Sequence, residues 1–331
     1  MRYLLGVDVG GSKTHALIAD ETGWAAGFGL AGTGNYQGVG YDGYRSSLEA
    51  SLGQALRQAG IQPDQIFGAG FGIGGYDWPS QLPAHEGVIA SLGLTCPIDI
   101  VNDAVIGLVA GTSEGWGIAI VGGTGCNCRG RDREGREGRV TGEGERFGEW
   151  GGGYELVARA IQAVSHEWSR RGPHTELTNT FLQLTGAKSL DDLIEGIDLG
   201  KYNTNASWAE AVFRVGYAGD PVAREVVTWA GHELGELACA VIRQLDLQQE
   251  AVQVVQIGGL FDGGPLYVDA VHATVRQLAP RAQFVRLTVP PVIGGVLLGA
   301  GAAGISPGSI RDQLIQSTET LLHKVGSTQE T

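Results

Sequence analysis

Residues 6–14 read Gly-Val-Asp-Val-Gly-Gly-Ser-Lys-Thr. The apolar run Tyr3–Val9 around Asp8 has the residue types of a buried β-strand, Gly10-Gly11 turns the backbone, and His15–Ala19 is the returning strand. The turn gathers what a phosphate group requires. Two glycines expose backbone N–H groups, Ser12 and Thr14 carry hydroxyls, Lys13 carries a cation, and Asp8 is placed to hold Mg²⁺ through water. The same residues also describe an ordinary hairpin with a Gly-Gly turn, and on this stretch alone both readings stand. Two familiar nucleotide motifs are excluded. The G-x-x-x-x-G-K-[ST] loop is absent, and a turn that joins two strands is not the strand-to-helix turn of a dinucleotide site.

Further along, the plan repeats. Gly117–Val121 reads as a strand, Gly122-Gly123-Thr124-Gly125 as a turn, and Cys126–Arg129 as the next strand. A strand–glycine turn–strand pattern that occurs twice, at Asp8–Thr14 and Val121–Asn127, suggests two related lobes. It also shifts the reading of both turns towards phosphate binding. Between them, Gly43–Ala59 has helical spacing with Gly60 as its stop, Gln65–Ile73 is a buried strand, and Ile98–Val101 is a strand that leads into a helix at Ala104–Ala110. The second half is mostly helical. Asp220-Pro221 starts a long helix to about Leu245, Ala251–Ile257 is a strand ending in Gly258-Gly259, and Gly294–Ala303 is a helix of small residues. These elements divide the chain into an N-terminal lobe, 1–110, completed by a helix at 310–323, and a C-terminal lobe, 111–305.

Composition narrows the function. A chain of 331 residues with 43% hydrophobic and 18% charged residues is globular and long enough for two domains. A net charge of −13, with no Lys/Arg-rich block, repels a phosphate backbone and argues against nucleic acid as a partner. Small phosphates remain accessible through backbone N–H groups and Mg²⁺. No apolar run approaches the roughly 20 residues that span a bilayer, and Met1-Arg2 leads into a run too short for a secretory signal. The expected location is cytoplasmic, away from membranes.

Some residues carry two readings. Asp103, after Asn102 and at a strand-to-helix junction, reads as a helix N-cap, as a general base, or as both, since the two roles are compatible. Cys126-x-Cys128 has too few neighbouring ligands for zinc or an iron–sulfur cluster and reads as a buried thiol pair. The seven histidines show no ligand spacing, and most of them are expected on the surface or on helices.

Taken together, GVDVGGSKT (6–14), GTGNYQ (32–37), GIGGYDWP (72–79), VNDAVIG (101–107), VGGTGCN (121–127), FGEWGGGYEL (147–156), QIGGLFD (256–262) and GGVLLGAGAA (294–303) resemble, in order and spacing, the BadF/BadG/BcrA/BcrD ATPase family. Within it they resemble the N-acetylglucosamine kinases of the actin/hexokinase/Hsp70 superfamily. The resemblance implies an α/β, two-lobed, actin-like (ribonuclease H-like) fold: duplicated mixed five-stranded sheets with flanking helices, and nucleotide in the interlobe cleft. It implies a homodimeric kinase that uses ATP and Mg²⁺ on a small sugar. Asp103 matches the catalytic base and Asp8 the acid that orients Mg²⁺. Gly10, Gly11, Ser12, Lys13, Thr14, Gly123, Thr124 and Gly125 match phosphate positions, and Gly258 and Gly259 the adenosine side. Asn35, Gly75, Asn102, Gly142 and Glu149 match the sugar side.

One segment departs from the family. Where relatives read Gly-Asp-Glu-Gly, this chain has Gly148-Glu149-Trp150-Gly151. Glu149 keeps the charge with one more methylene. Trp150 is either a platform for a sugar ring or a core aromatic. Alternatives to an amino-sugar kinase are an ATPase that activates a partner enzyme, as 2-hydroxyacyl-CoA dehydratase activators do, and a non-catalytic sugar sensor. The activators' cysteine pattern is absent. Sensors of this superfamily carry a helix–turn–helix ahead of the first strand, for which the residues before Asp8 leave no room.

Overall fold

The computed structural model describes residues 2–329. Its first sheet grows from β1 (Tyr3–Val9), whose Leu4, Leu5, Val7 and Val9 are almost wholly buried. The Gly10 turn returns the chain as β2 (Thr14–Asp20), and β3 (Ala25–Ala31) follows. α1 (Tyr36–Ala59) starts a full turn and more ahead of the Gly43 expected from spacing. Asn35 caps it by accepting the Gln37 N–H at 3.0 Å. The helix also kinks at Gly40, whose φ of 68° only a glycine adopts without strain. β4 (Ile66–Ile73), α2 (Leu82–Ala90), β5 (Ile98–Asn102) and α3 (Asp103–Gly111) complete this run. The sheet order is β3-β2-β1-β4-β5, with β2 antiparallel to both β1 and β3, and β1, β4 and β5 parallel.

The second sheet uses β6 (Gly117–Gly122), β7 (Cys126–Arg131) and β8 (Glu137–Arg139). A helical stretch follows, α4 (Gly153–Trp168), α5 (Glu176–Thr185), α6 (Leu190–Asp198), α7 (Ala209–Tyr217) and α8 (Pro221–Gln244), the last capped by Asp220. Then come β9 (Gln253–Ile257), α9 (Pro265–Leu278) and β10 (Gln283–Arg286). The order β8-β7-β6-β9-β10 repeats that of the first sheet strand for strand. The duplication suggested by the two glycine turns is therefore present in the architecture.

The chain closes with α10 (Val292–Ala302) and α11 (Pro307–Gln329). Two compact units result: one runs up to Gly117 and resumes at Val285, and the other is Ile118–Phe284. These limits differ from 110 and 305, and α10 is the reason the chain after Val285 joins the first unit. Its Gly295 lies so close to the first sheet that a Cβ there would sit 2.9 Å from the Gly6 Cα and 3.0 Å from the Gly70 carbonyl oxygen. Gly68 and Gly70 on β4 have no room for a Cβ either, because the backbone of α10 lies against them. Glycine meets glycine, and the helix backbone packs directly on the sheet. α11 is held to the same unit: Ser317 Oγ accepts the Ala25 N–H at 2.9 Å and donates to the Gly23 carbonyl at 3.0 Å. Among the described residues, no helix is long and apolar enough to cross a membrane.

Candidate active site

In the first unit, Val9, Ile73 and Asn102 stand in register at the carboxyl ends of the parallel strands β1, β4 and β5. This is where α/β sheets place ligands. Gly74 donates its N–H to the Val9 carbonyl at 2.7 Å, and a Cβ on Gly74 would lie 3.1 Å from Asp103 Oδ2. The Asp103 carboxylate thus sits against Gly74, the residue that bonds to the end of β1. The N-cap reading of Asp103 is corrected. Asn102 is the cap, accepting the Ala104 N–H at 3.0 Å, and Asp103 is the first residue inside α3. Asn102 also donates to the Tyr76 carbonyl at 3.1 Å, which ties the Gly74-Gly75 loop to the helix start.

Asp8 has an unanticipated neighbour. It pairs across the hairpin with His15, whose Nδ1 is 3.8 Å from Asp8 Oδ2 and is buried without a hydrogen-bond partner. His15 is therefore a part-buried strand residue. Counting register outward from the Gly10 turn would have found it. Gly11, Ser12 and Lys13 are exposed at the turn, which Gly10 closes by donating to the Lys13 carbonyl at 2.9 Å. Thr14 is different. It is fully buried, and a Cβ on Gly34 would lie 2.7 Å from its Oγ1, so it faces the interior rather than joining Ser12 and Lys13. As the first residue of β2 it falls on the inward face of the strand alternation. Asn35 spends its Oδ1 on the α1 cap. Gly75, at φ 82°, is next to it: a Cβ there would lie 2.9 Å from that same oxygen.

In the second unit, Gly123 closes the other turn by donating to the Gly125 carbonyl at 3.0 Å, and Thr124 is exposed. The start of α4 pins this turn: Gly153 and Tyr154 donate their N–H groups to the Gly123 and Thr124 carbonyls, each at 2.9 Å. Gly258, at φ 100°, packs so closely on Gly122 that no side chain fits, and nothing crowds Gly259. The glycines after β6 and β9 are thereby brought together. Tyr267, wholly buried, donates to the Gly151 carbonyl at 2.6 Å and stands against Gly122; burial pushes its phenol well above the usual range. It braces both glycine segments, and no local pattern announced it.

Glu149 is buried, and its carboxylate is already in use. Oε1 accepts the Thr141 N–H at 2.6 Å. Oε2 accepts the Thr141 hydroxyl at 2.8 Å, the Gly142 N–H at 2.7 Å and the Glu143 N–H at 3.2 Å. It clamps the loop that carries Gly142, whose φ is 76°. Trp150 is half-buried, its ring 5.9 Å from that of Trp229. Cys126 and Cys128 are buried thiols. Burial pushes Cys126 up to about 12 and raises Cys128 as well, which makes both poor nucleophiles.

Duplicated five-stranded sheets, each with a glycine turn after its first strand, define the actin-like α/β fold. The chain belongs to the BadF/BadG/BcrA/BcrD ATPase family, which it matches over residues 5–299. It is 28% identical over 300 residues to the N-acetylmuramic acid/N-acetylglucosamine kinase of Clostridium acetobutylicum, covering 90% of this chain and 98% of that protein. It is 27% identical over 307 residues to the N-acetyl-D-glucosamine kinase of Dictyostelium discoideum, covering 89% and 96%. A candidate N-acetylglucosamine kinase from Chromobacterium violaceum has the same fold, with a TM-score of 0.65 at 24% identity, covering 90% of this chain and 99% of that one.

Proposed function

We propose that the protein is an ATP-dependent kinase that phosphorylates a hydroxyl of an amino sugar such as N-acetylglucosamine or glucosamine, with Asp103 as the general base. The observation that carries this reading is the placement of Asp103. Its carboxylate stands beside Gly74 at the carboxyl ends of the parallel strands, where it can take the proton of an attacking hydroxyl. The sugar oxygen bonds to the γ-phosphorus, the bond to the β-phosphate oxygen breaks, and ADP leaves. The relatives' names favour an amino sugar as acceptor.

The other roles follow from position. The exposed turn Gly10–Lys13 offers N–H groups, a hydroxyl and an ammonium to phosphate oxygens, and Gly123, Thr124 and Gly125 offer the like from the second unit. Gly258 and Gly259 give an adenosine a flat backbone surface. Asp8 supplies a hard carboxylate oxygen of the kind Mg²⁺ takes, through water, alongside substrate phosphates; bound there, Mg²⁺ neutralises phosphate charge. Thr14 supports the turn from inside. Asn35, Gly75 and Asn102 are the sugar-side residues of the first unit, and in the second unit Glu149 holds the Gly142 loop. The test is ADP release over a panel of hexoses and amino sugars. An amino sugar is expected to stimulate turnover most. If no sugar stimulates it and basal hydrolysis survives Asp103→Ala, the reading is wrong.

A further inference from the structure

The proposed reaction leaves unused a cavity of about 210 Å³ in the second unit, lined by Glu145, Trp150, Tyr154, Glu155, Thr204 and Asn205 together with three aliphatic side chains of α4. We propose that this cavity is an accessory subsite for a neutral saccharide ring, contiguous with the acceptor segment; the inference rests on the amino-sugar reading above. Its chemistry is that of a sugar site. The Trp150 and Tyr154 rings offer apolar faces to the C–H face of a pyranose. The carboxylates, the Asn205 amide and the Thr204 hydroxyl are partners for ring hydroxyls.

The walls are built, not incidental. Tyr154 is 53% exposed, and its backbone is fixed by the bond from its N–H to the Thr124 carbonyl. The Trp150 ring is braced by Trp229. Glu155 is fixed from behind, since a Cβ on Gly152 would lie 2.5 Å from its buried Oε2. Burial also raises its carboxyl above the usual range. Contiguity comes from the chain itself. Glu145 and Trp150 flank Glu149, and a Cβ on Gly144 would lie 3.2 Å from Glu155 Oε1. Two carboxylates in the wall of a protein of net charge −13 repel an anionic substituent, so a ring bearing a carboxylate is disfavoured.

The ring arrives either as the second unit of a disaccharide acceptor or as a free monosaccharide. Calorimetric titration of the intact protein with N-acetylglucosamine and with its β1→4-linked disaccharide separates these sources. In the first case the disaccharide binds about tenfold tighter than the monosaccharide, and Tyr154→Ala and Glu155→Gln each abolish that advantage without moving monosaccharide affinity. In the second, the wild type takes two monosaccharides per chain and each variant takes one. A single site that binds both sugars equally and ignores both substitutions overturns the subsite and leaves the kinase reading intact. Failure of the monosaccharide to bind or be phosphorylated, with disaccharide binding that still depends on Tyr154, removes the kinase reading and keeps the subsite. If neither sugar binds, both readings fall.

Discussion

Glu149→Gln tests whether this side chain is a clamp or a ligand for the substrate. The wild-type carboxylate accepts four hydrogen bonds, three of them on Oε2. A glutamine keeps most of them by placing its carbonyl oxygen at Oε2, which puts its NH₂ against the Thr141 N–H. One buried donor is then orphaned at roughly 1–3 kcal/mol, and the remaining bonds lose their charge assistance. The total is about 2–4 kcal/mol, or roughly 5–15 °C in melting temperature for a unit of this size. The assay is thermal unfolding without ligand, followed by sugar kinetics. A clamp predicts a large fall in stability, with KM for the sugar raised because the Gly142 loop relaxes, and kcat changed less. An unchanged or raised melting temperature with a raised KM would refute the clamp, since that is the signature of a carboxylate that meets the sugar directly.

Three further outcomes are expected. Asp103→Asn, similar in size and still compatible with the first turn of α3, should lower kcat by roughly 10²- to 10⁴-fold while sugar still raises the melting temperature; near-wild-type kcat removes Asp103 as base. Gly258→Ala introduces a Cβ into the Gly122 carbonyl at a φ of 100° and should abolish the thermal shift caused by ATP or yield little folded protein, whereas Gly259→Ala, which meets no neighbour, should keep both; equal behaviour of the two variants contradicts the packing argument. His85 is wholly buried among Tyr36, Tyr41, Tyr44 and Tyr76, and burial lowers it from 6.5 to about 4. Because its folded value is depressed, the unfolded chain takes up the proton first. Stability falls as pH drops from about 6.5 towards 4, by up to about 3 kcal/mol, and His85→Leu should lose that part of the slope in urea titrations; an identical slope in wild type and variant rejects this assignment.

Much of the fold is legible because its signals are local. A buried strand, a glycine turn and a returning strand can be seen twice in the chain, and both sheets are built on them. Where the reading falls short, a distant partner or a special residue intervenes. The start of α1 is hidden because Gly38 and Gly40 weaken the helical pattern that the Asn35 cap nevertheless starts. α10 reads as a small-residue helix, but only Gly6, Gly68 and Gly70, far away in sequence, determine which sheet it covers. The site divides the same way. Asp8, Lys13, Asp103 and the glycines stand at chain turns and can be named from sequence. Tyr267, His15 and the inward face of Thr14 depend on what lies opposite them.

The Glu149-Trp150 departure is best understood as one coupled change. Through Oε1 and Oε2 together the longer acid serves Thr141, Gly142 and Glu143, while the adjacent indole lines a cavity that also holds Glu155. An aspartate at position 149, one methylene shorter, would have to draw the loop inward to keep the same donors, and an acid at position 150 would add a third carboxylate beside Glu145 and Glu155. The pair as it stands leaves the Gly142 loop firmly held and gives its neighbour an aromatic wall. On the proposed reading the pair belongs to the sugar side, whereas the Gly10–Lys13 and Gly123–Gly125 turns offer the groups a nucleotide requires. Combining Glu149→Asp with Trp150→Glu should therefore change which sugars are accepted while leaving the KM for ATP within about twofold, because no phosphate-binding group is touched. A comparable loss of ATP affinity would show that the two segments are not independent.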